Sequence, residues 1–360
     1  MPIEYGLGAS AIDYDGKNIY VRITDIDDET SQFDFNKVSS PSFYDNKYLL
    51  NNGDILVART GASVGKSYLH DNMSNSYFAG FLMRIRVSEH HPYYIYSQLK
   101  TNRFKKWLQV MSIRSGQPGI NSKELGLYKI HITDITNEEK IGNILKCVDQ
   151  RIITQKKIID NLNSLINSII NHIYSINDYN AKLSDVITQS TNKNKNGLIN
   201  YVSSVSNKYG FIKQSEQFED RDVASDDLSN YKVVTLNDFG YNPARINVGS
   251  IARYKNTNDT VVSPMYICFK CKNNLYPEYL EYYFKSKEFK IHLLRRLEGS
   301  VRQCLTFESM QNIPFHLPNL DEQKKNAKII SALFKKIQLE TSILNKLILQ
   351  KDYLLSKMFI

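Results

Sequence analysis

The sequence contains no uninterrupted apolar run near the roughly 18 residues that a membrane-spanning helix requires. Its longest apolar-rich segments carry Asn, Lys and Gln throughout, so no membrane partner is expected. The opening MPIEYGLGAS has no basic stretch leading into an apolar one, and no secretory signal is read there. Cysteine is scarce: Cys147, Cys268, Cys271 and Cys304 are all there are in 360 residues. A disulfide framework is thereby excluded, and reduced thiols in the cytoplasm are the expectation. Acid is in deficit, with 37 Asp+Glu against 46 Lys+Arg and a net charge of +9. Such a surplus suits a polyanion, because neutralising phosphates releases counterions. A lysine- and asparagine-rich proteome would shift the charge equally, so charge alone leaves the partner open.

Signatures of catalysis are missing as well. GASVGKS (61–67) approaches a phosphate-binding loop, but only three residues separate Gly61 from Gly65 and Thr60 stands where the first Gly is required. Cys268-Phe-Lys-Cys271 is a single CxxC in a strand-like run without a second pair, which favours buried thiols over a metal site. His90 and His91 are adjacent and precede Pro92, unlike the i,i+4 pair of a zinc protease. Asn242-Pro243-Ala244 is not the Asn-Pro-Pro-aromatic motif of adenine methyltransferases, and no dinucleotide fingerprint is visible. No nucleophile, base and oxyanion set can be assembled from the spacing. The chain reads as a binder, with no catalytic residue and no bound cofactor or metal.

What is present is a duplication. A shift of 185 positions places Tyr94 on Tyr279, Lys100 on Lys285, Phe104 on Phe289, Ile120 on Leu305, Leu125 on Met310 and Val148 on Leu333. Upstream, NNGDILVART (51–60) resembles NVGSIARY (247–254) at a different shift of 196. A period this long is not a solenoid; it is two domains of one kind in tandem.

Each copy ends in a long amphipathic helix. From residue 137 to about 175 the seam runs Leu145, Val148, Ile152, Gln155, Ile159, Leu162, Ile166, Ile169 and Ile173. The second copy runs Ile330, Leu333, Ile337, Glu340, Leu344, Leu347, Lys351, Leu354 and Met358. This a/d spacing is that of a coiled coil. The polar breaks Gln155 and Glu340 are counterparts; they either fix register in the seam or mark a solvent-facing point. Carboxylates in NEEK and LDEQ suit the first helical turns, and Pro318 limits the second helix. A helix of this length spans roughly 57 Å at 1.5 Å per residue, long enough for a spacer. Strand signals dominate the globular parts in NIYVRITDI (18–26), GDILVART (53–60), GFLMRIRV (80–87) and SPMYICFKC (263–271). Helical stretches intervene at 93–108 and 278–293, giving an α+β class.

The segments GDILVARTGASVGK (53–66), SGQPGINSKELGLYKIHI (115–132) and TNEEKIGNIL (136–145), with GSIARYK (249–255), GSVRQCLTFESMQNIPFHLP (299–318) and NLDEQKKNAKII (319–330), resemble the specificity subunit of type I restriction–modification enzymes. The last block is the most specific, since a Pro…Glu-Gln segment joins each recognition domain to its spacer helix in that family. The resemblance spans essentially the whole chain. It implies an α+β fold of two tandem α/β target-recognition domains, joined and separated by two long antiparallel coiled-coil helices. The expected boundaries are 1–135, 136–176, 177–318 and 319–360. It also implies double-stranded DNA as ligand, each domain reading one half of a split site while the helices set the gap. Modification subunits, two in number, are the implied partners and carry S-adenosylmethionine; restriction subunits with ATP join through them. KLSDVITQS (182–190) is the usual opening of a recognition domain, and the first copy begins without it. Either the first copy is a shorter variant or packing against the C-terminal end supplies the piece.

Direct readout needs Arg or Lys for guanine and Asn or Gln for adenine, whereas phosphates accept from many donors. Arg59, Thr60, Ser63 and Lys66 fall in a Gly-containing loop after a strand. Arg253, Tyr254, Lys255 and Asn256 are taken as their equivalents. Arg114, Ser115 and Gln117 pair with Ser300, Arg302 and Gln303 in a second polar loop. Leu145, Val148, Ile152, Ile159, Leu162, Ile166, Ile330, Leu333, Ile337, Leu344, Leu347 and Leu354 are the expected spacer contacts. Two rival readings remain: a DNA-recognition region detached from a single-chain restriction–methyltransferase, and a coiled-coil interaction protein whose basic charge is incidental.

Overall fold

The computed structural model describes residues 1–71, 73–175, 178–217, 227–299 and 303–359. The chain forms two compact units, one of Met1–Ile158 with Glu340–Ile360 and the other of Ile159–Leu339. Two long helices, Ile135–Tyr174 and Leu320–Met358, each give one end to each unit.

Both units are built on a four-stranded antiparallel sheet of the same strand order. In the first, Ile3–Tyr5, Leu82–Ile85, Ile55–Ala58 and Ser67–Leu69 lie side by side. In the second the sequence is Ile187–Ser190, Ile267–Cys271, Phe239–Tyr241 and Ile251–Arg253. The 185-residue shift survives in the register, because Ile3 pairs with Ile85 and Thr188 with Lys270. It fails in the third strand. Leu56 opposes Arg84 and Phe239 opposes Phe269, so the counterpart of Ile55–Ala58 is Phe239–Tyr241. The expected match between GDILVART and GSIARY is therefore wrong: Ile251–Arg253 is the edge strand, equivalent to Ser67–Leu69. Burial explains the mistake. The central strand must be apolar on both faces, as ILVA and FGY are, and it carries no further sequence mark.

The first copy also has more of its opening than its sequence suggests. Ile3–Tyr5 occupies the place of Thr188–Ser190. The second unit adds the turn Leu183–Val186, with Leu183 and Val186 buried and Lys182 N donating to Asp185 Oδ2 at 2.8 Å. Phe359 sits 5.2 Å from Tyr94 in the first unit, while its counterpart Tyr174 sits 4.9 Å from Tyr279 in the second. Each domain thus receives the end of a long helix on the same tyrosine.

The helical stretches each break in two. Pro92–Gln98 and Asn102–Met111 are separated at Thr101, and Pro277–Tyr283 and Lys287–Leu294 at Ser286. Thr101 and Ser286 restart the helix by accepting from Phe104 N and Phe289 N at 3.2 and 3.1 Å. The long helices are tied to their domains by another equivalent pair. Buried Glu138 accepts from His91 N at 3.0 Å and from Thr133 N at 3.4 Å, with His90 Nδ1 at 3.0 Å. Buried Gln323 accepts from Tyr276 N at 2.8 Å and donates to the carbonyls of Asn274 and Pro318 at 3.1 and 2.8 Å. An amide stands in the second copy because residue 318 is proline, which offers only its carbonyl.

The seam is that of an antiparallel pair. In the first unit Leu145, Val148 and Leu347 are buried, Ile152, Leu344 and Leu354 half-buried, and Asp149 meets Lys351 at 2.6 Å. Gln155 Nε2 donates to the carbonyl of Glu340 at 3.1 Å and also to its carboxylate. Both residues are buried, so the polar break is an internal contact and not a solvent-facing point. In the second unit Ile166 and Ile330 are buried in one core, with Ile169, Leu333 and Ile337 packed against it; Ile159 and Leu162 are half-buried.

The rest of each domain differs between copies. The first unit adds a parallel pair, Ile19–Val21 with Ser76–Phe78, over a core containing Val21, Phe33, Leu56 and Phe78. The second adds the hairpin Ser203–Ser206 with Gly210–Lys213 and the pair Lys232–Val234 with Thr260–Val262. A shared frame with divergent additions is what two domains of one kind and different ligands require.

Candidate nucleic-acid interface

At one end of each sheet the connections gather into a rim. In the first unit it comprises residues 59–66 between two strands and 79–81 before Leu82–Ile85. The loop 112–120 is tied on by Gly61 N to Pro118 O and Ile120 N to Arg59 O, both at 2.9 Å. Half-buried Arg59 places its guanidinium 4.9 Å over the Tyr5 ring, and that guanidinium has no hydrogen-bond or ion-pair partner among the described residues. Tyr5 is steadied in turn by Ser122, whose hydroxyl and N–H donate to its hydroxyl at 3.2 and 2.9 Å and hold that phenol below its usual range. Thr60 and Ser63 are half-buried in the same loop, and Ser115 and Gln117 are exposed beside it. These five expected residues are brought together around Arg59.

Two others are committed elsewhere. Lys66 pairs with Asp28 at 2.6 Å and donates to the carbonyls of Ile23 and Ile26, which braces the domain. Arg114 is exposed, but both oxygens of Glu124 take its guanidinium at 2.6 Å. The loop glycines make room for protein. At Gly65 (φ +80°) a Cβ would strike Leu108 at 1.9 Å, and at Gly61 (φ +77°) it would meet the Gln117 amide at 2.7 Å. Gly61–Ser63 is a single 3-10 turn running into strand Ser67–Leu69, so no helix N-terminus is present to cradle a nucleotide phosphate.

In the second unit the misplaced strand carries the expected residues off the rim. Arg253 lies on the edge strand and is held by Glu281 at 2.8 Å, Glu278 at 3.6 Å and Asn237 at 2.7 Å. Tyr254 is buried, its hydroxyl donating to the Asn258 carbonyl at 2.6 Å. Both side chains are engaged within the domain. Lys255 is exposed with Glu281 at 2.7 Å, and Asn256 and Gln303 are exposed. Ser300 and Arg302 lie outside the described residues.

The true counterpart of the Arg59 loop is 242–250, which follows Phe239–Tyr241. Leu305 N donates to Pro243 O at 3.2 Å, as Ile120 N does to Arg59 O. Sequence reasoning missed Asn242 and Arg245 here. Asn242 Oδ1 accepts from Ala244 N at 3.1 Å, forming a side-chain-closed turn. Arg245 is exposed, and its guanidinium has no partner among the described residues. The Asn-Pro-Ala-Arg turn after an apolar triplet was the available signal.

Residues 9–164 and 180–349 each match the family described as the type I restriction modification DNA specificity domain. The chain belongs to this family. Two solved structures share the fold of this specificity subunit. The type I restriction–modification S subunit from M. genitalium is 16% identical, with a TM-score of 0.63, over 100% of this chain and 93% of that one. A chain from work on complex assembly and conformational transition of the type I R-M system is 13% identical, with a TM-score of 0.55, over 98% and 95%. No curated protein sequence matches. In the specificity subunit Cys268 is buried and Cys271 half-buried, and burial pushes both thiols up to about 12. Among the described residues no group of three His, Cys, Asp or Glu could hold a metal ion, and no helix is long and apolar enough to cross a membrane.

Proposed function

We propose that each of the two domains reads one half of a bipartite DNA site through its rim. The first uses Arg59, Thr60, Ser63, Ser115 and Gln117, and the second uses Asn242, Arg245 and the exposed Gln303. The long helices set the gap between half-sites and dock two modification subunits, through which restriction subunits join. This chain catalyses nothing. S-adenosylmethionine and ATP are held by the partner subunits, and the assembly works in the cytoplasm.

The observation that carries the reading is the repeated frame with an arginine that has no ion pair among the described residues in each rim. A carboxylate would satisfy such a cation within the protein; a nucleic acid satisfies it on binding. Co-expression with modification subunits, a band-shift at stated salt and sequencing of methylated adenines test it together. Two defined half-sites at one fixed spacing are expected. A complex that assembles without binding DNA would leave the coiled-coil interaction reading in its place.

A further inference from the structure

Each rim also carries a large, well-exposed apolar side chain on the connection that enters its second strand, beside Ile113 and Val248 exposed on neighbouring rim loops. Phe81 is 62% exposed and Met265 is 63% exposed, each in the connection that enters the second strand of its sheet. The connections are equivalent, since Ala58 opposes Leu82 and Tyr241 opposes Ile267 immediately after them. They are not identical. The first is Ala79-Gly80-Phe81, and the second, Ser263-Pro264-Met265-Tyr266, is one residue longer. A single exposed apolar residue is ordinary on a protein surface. The register sets Phe81 against the buried Tyr266, so what the two copies share is an exposed apolar tip on the same connection, although their flanking loops share almost no residues.

Both tips are held rigidly. Gly80 N donates to Leu7 O and Leu82 N to Ala79 O at 2.8 Å, while Arg59 N reaches Phe81 O at 3.1 Å. In the second unit Tyr266 is buried. Its N–H donates to Ser263 O at 3.0 Å and its carbonyl accepts from Lys232 Nζ at 2.6 Å, leaving Met265 to project. A fixed turn loses little entropy when its tip is engaged, so such a tip is suited to insertion. Its surroundings name the occupant. The bond from Arg59 to the Phe81 carbonyl joins tip and cation in one rim, and Asn242 follows the strand residue that pairs beside the Met265 turn. An apolar probe flanked by cations and amides matches a stack of bases within a phosphate backbone.

We propose that Phe81 and Met265 are wedges, each entering a base step of the half-site read by its own domain and unstacking it. The inference rests on the DNA-reading role proposed above. It adds a deformation term that makes each half-site selective for a flexible step that no side chain hydrogen-bonds.

The test uses the full chain assembled with its modification subunits, and a duplex bearing the site found by methylated-adenine sequencing. 2-Aminopurine is placed in turn at each position of one half-site. The wild-type complex should brighten one position in each half. Phe81→Ala should abolish the signal in one half only, weaken binding about tenfold and leave the salt dependence of binding unchanged, since no phosphate contact is lost. Met265→Ala should do the same to the other half, and Phe81→Leu should retain most of the signal. Failure of the wild-type complex to bind the duplex would sink the DNA-reading role itself. Normal binding with no brightened position, or with signals unaffected by the alanine variants, would overturn the wedge alone. So would variants that bind DNA normally but fail to assemble, which would assign the tips to a protein contact.

Discussion

Gln155 and Glu340, 185 positions apart and equivalent in the repeat, hydrogen-bond to each other across the seam of the long helices. A residue and its own counterpart can face each other only near the midpoint of an antiparallel pair of like helices. One polar contact at that point specifies register, because any heptad slip would set each polar side chain against leucine or isoleucine. Gln155→Leu should therefore lower the thermal midpoint, as it withdraws an amide donor from a buried carboxylate, at a cost of about 1–3 kcal/mol. The double variant Gln155→Leu with Glu340→Leu should unfold no earlier than wild type. A double variant less stable than Gln155→Leu alone would show that the pair supplies stability and not register.

Glu138 and Gln323 accept alike from His91 N and Tyr276 N but differ at Thr133 and Pro318, where one accepts and the other donates, which predicts unequal tolerance of the exchange. Gln323→Glu replaces the donor to the Asn274 and Pro318 carbonyls with an acceptor and should cost about 2–3 kcal/mol in urea unfolding. Glu138→Gln still accepts from His91 N, the His90 ring can change tautomer to receive the new N–H, and only the long 3.4 Å bond from Thr133 N is lost. It should cost about 1 kcal/mol or less on the same measurement. Equal costs would mean that the tie is a matter of shape.

Lys100 gives the first unit a pH response. Its ammonium donates to Ser31 Oγ at 2.8 Å and Ser67 O at 3.0 Å, and burial pushes its pKa down to about 7. Lys351 adds to the depression and Asp149 opposes it. Between about 7 and the ordinary lysine range, the unfolded chain then holds a proton that the folded chain does not. Stability should rise with pH across that window. Lys100→Met should flatten the rise in a series of thermal unfolding curves from pH 7 to 10, and an unchanged slope would exclude Lys100 as its source.

The tandem frame, the seams and the Arg59 loop were legible because they rest on periodicity and on glycine spacing, which survive in a single sequence. Strand identity in the second copy was not. FGY is three residues long and meets its neighbours only through tertiary pairing, whereas GSIARY copies the local look of GDILVART. The partners of Lys66 and Arg253 were equally invisible, since Asp28 and Glu281 lie 38 and 28 positions away in sequence. A cation in a polar loop looks the same whether it is free or paired; only the fold decides.

That distinction separates the arginines experimentally. Arg59 and Arg245 stand in equivalent rims without ion pairs among the described residues, so each alanine variant should lose about 1–3 kcal/mol of affinity for one half-site and none for the other. Duplexes in which a single half-site is scrambled measure this directly: scrambling the half that Arg59 reads should erase the effect of Arg59→Ala while preserving that of Arg245→Ala. Arg253→Ala belongs to a different class. It leaves Glu281 and Glu278 without their guanidinium and should lower the thermal midpoint while leaving the methylated sequence unchanged. If Arg253→Ala instead altered the bases read by the second domain and Arg245→Ala did not, the strand equivalence that places residues 242–250 on the rim would be wrong.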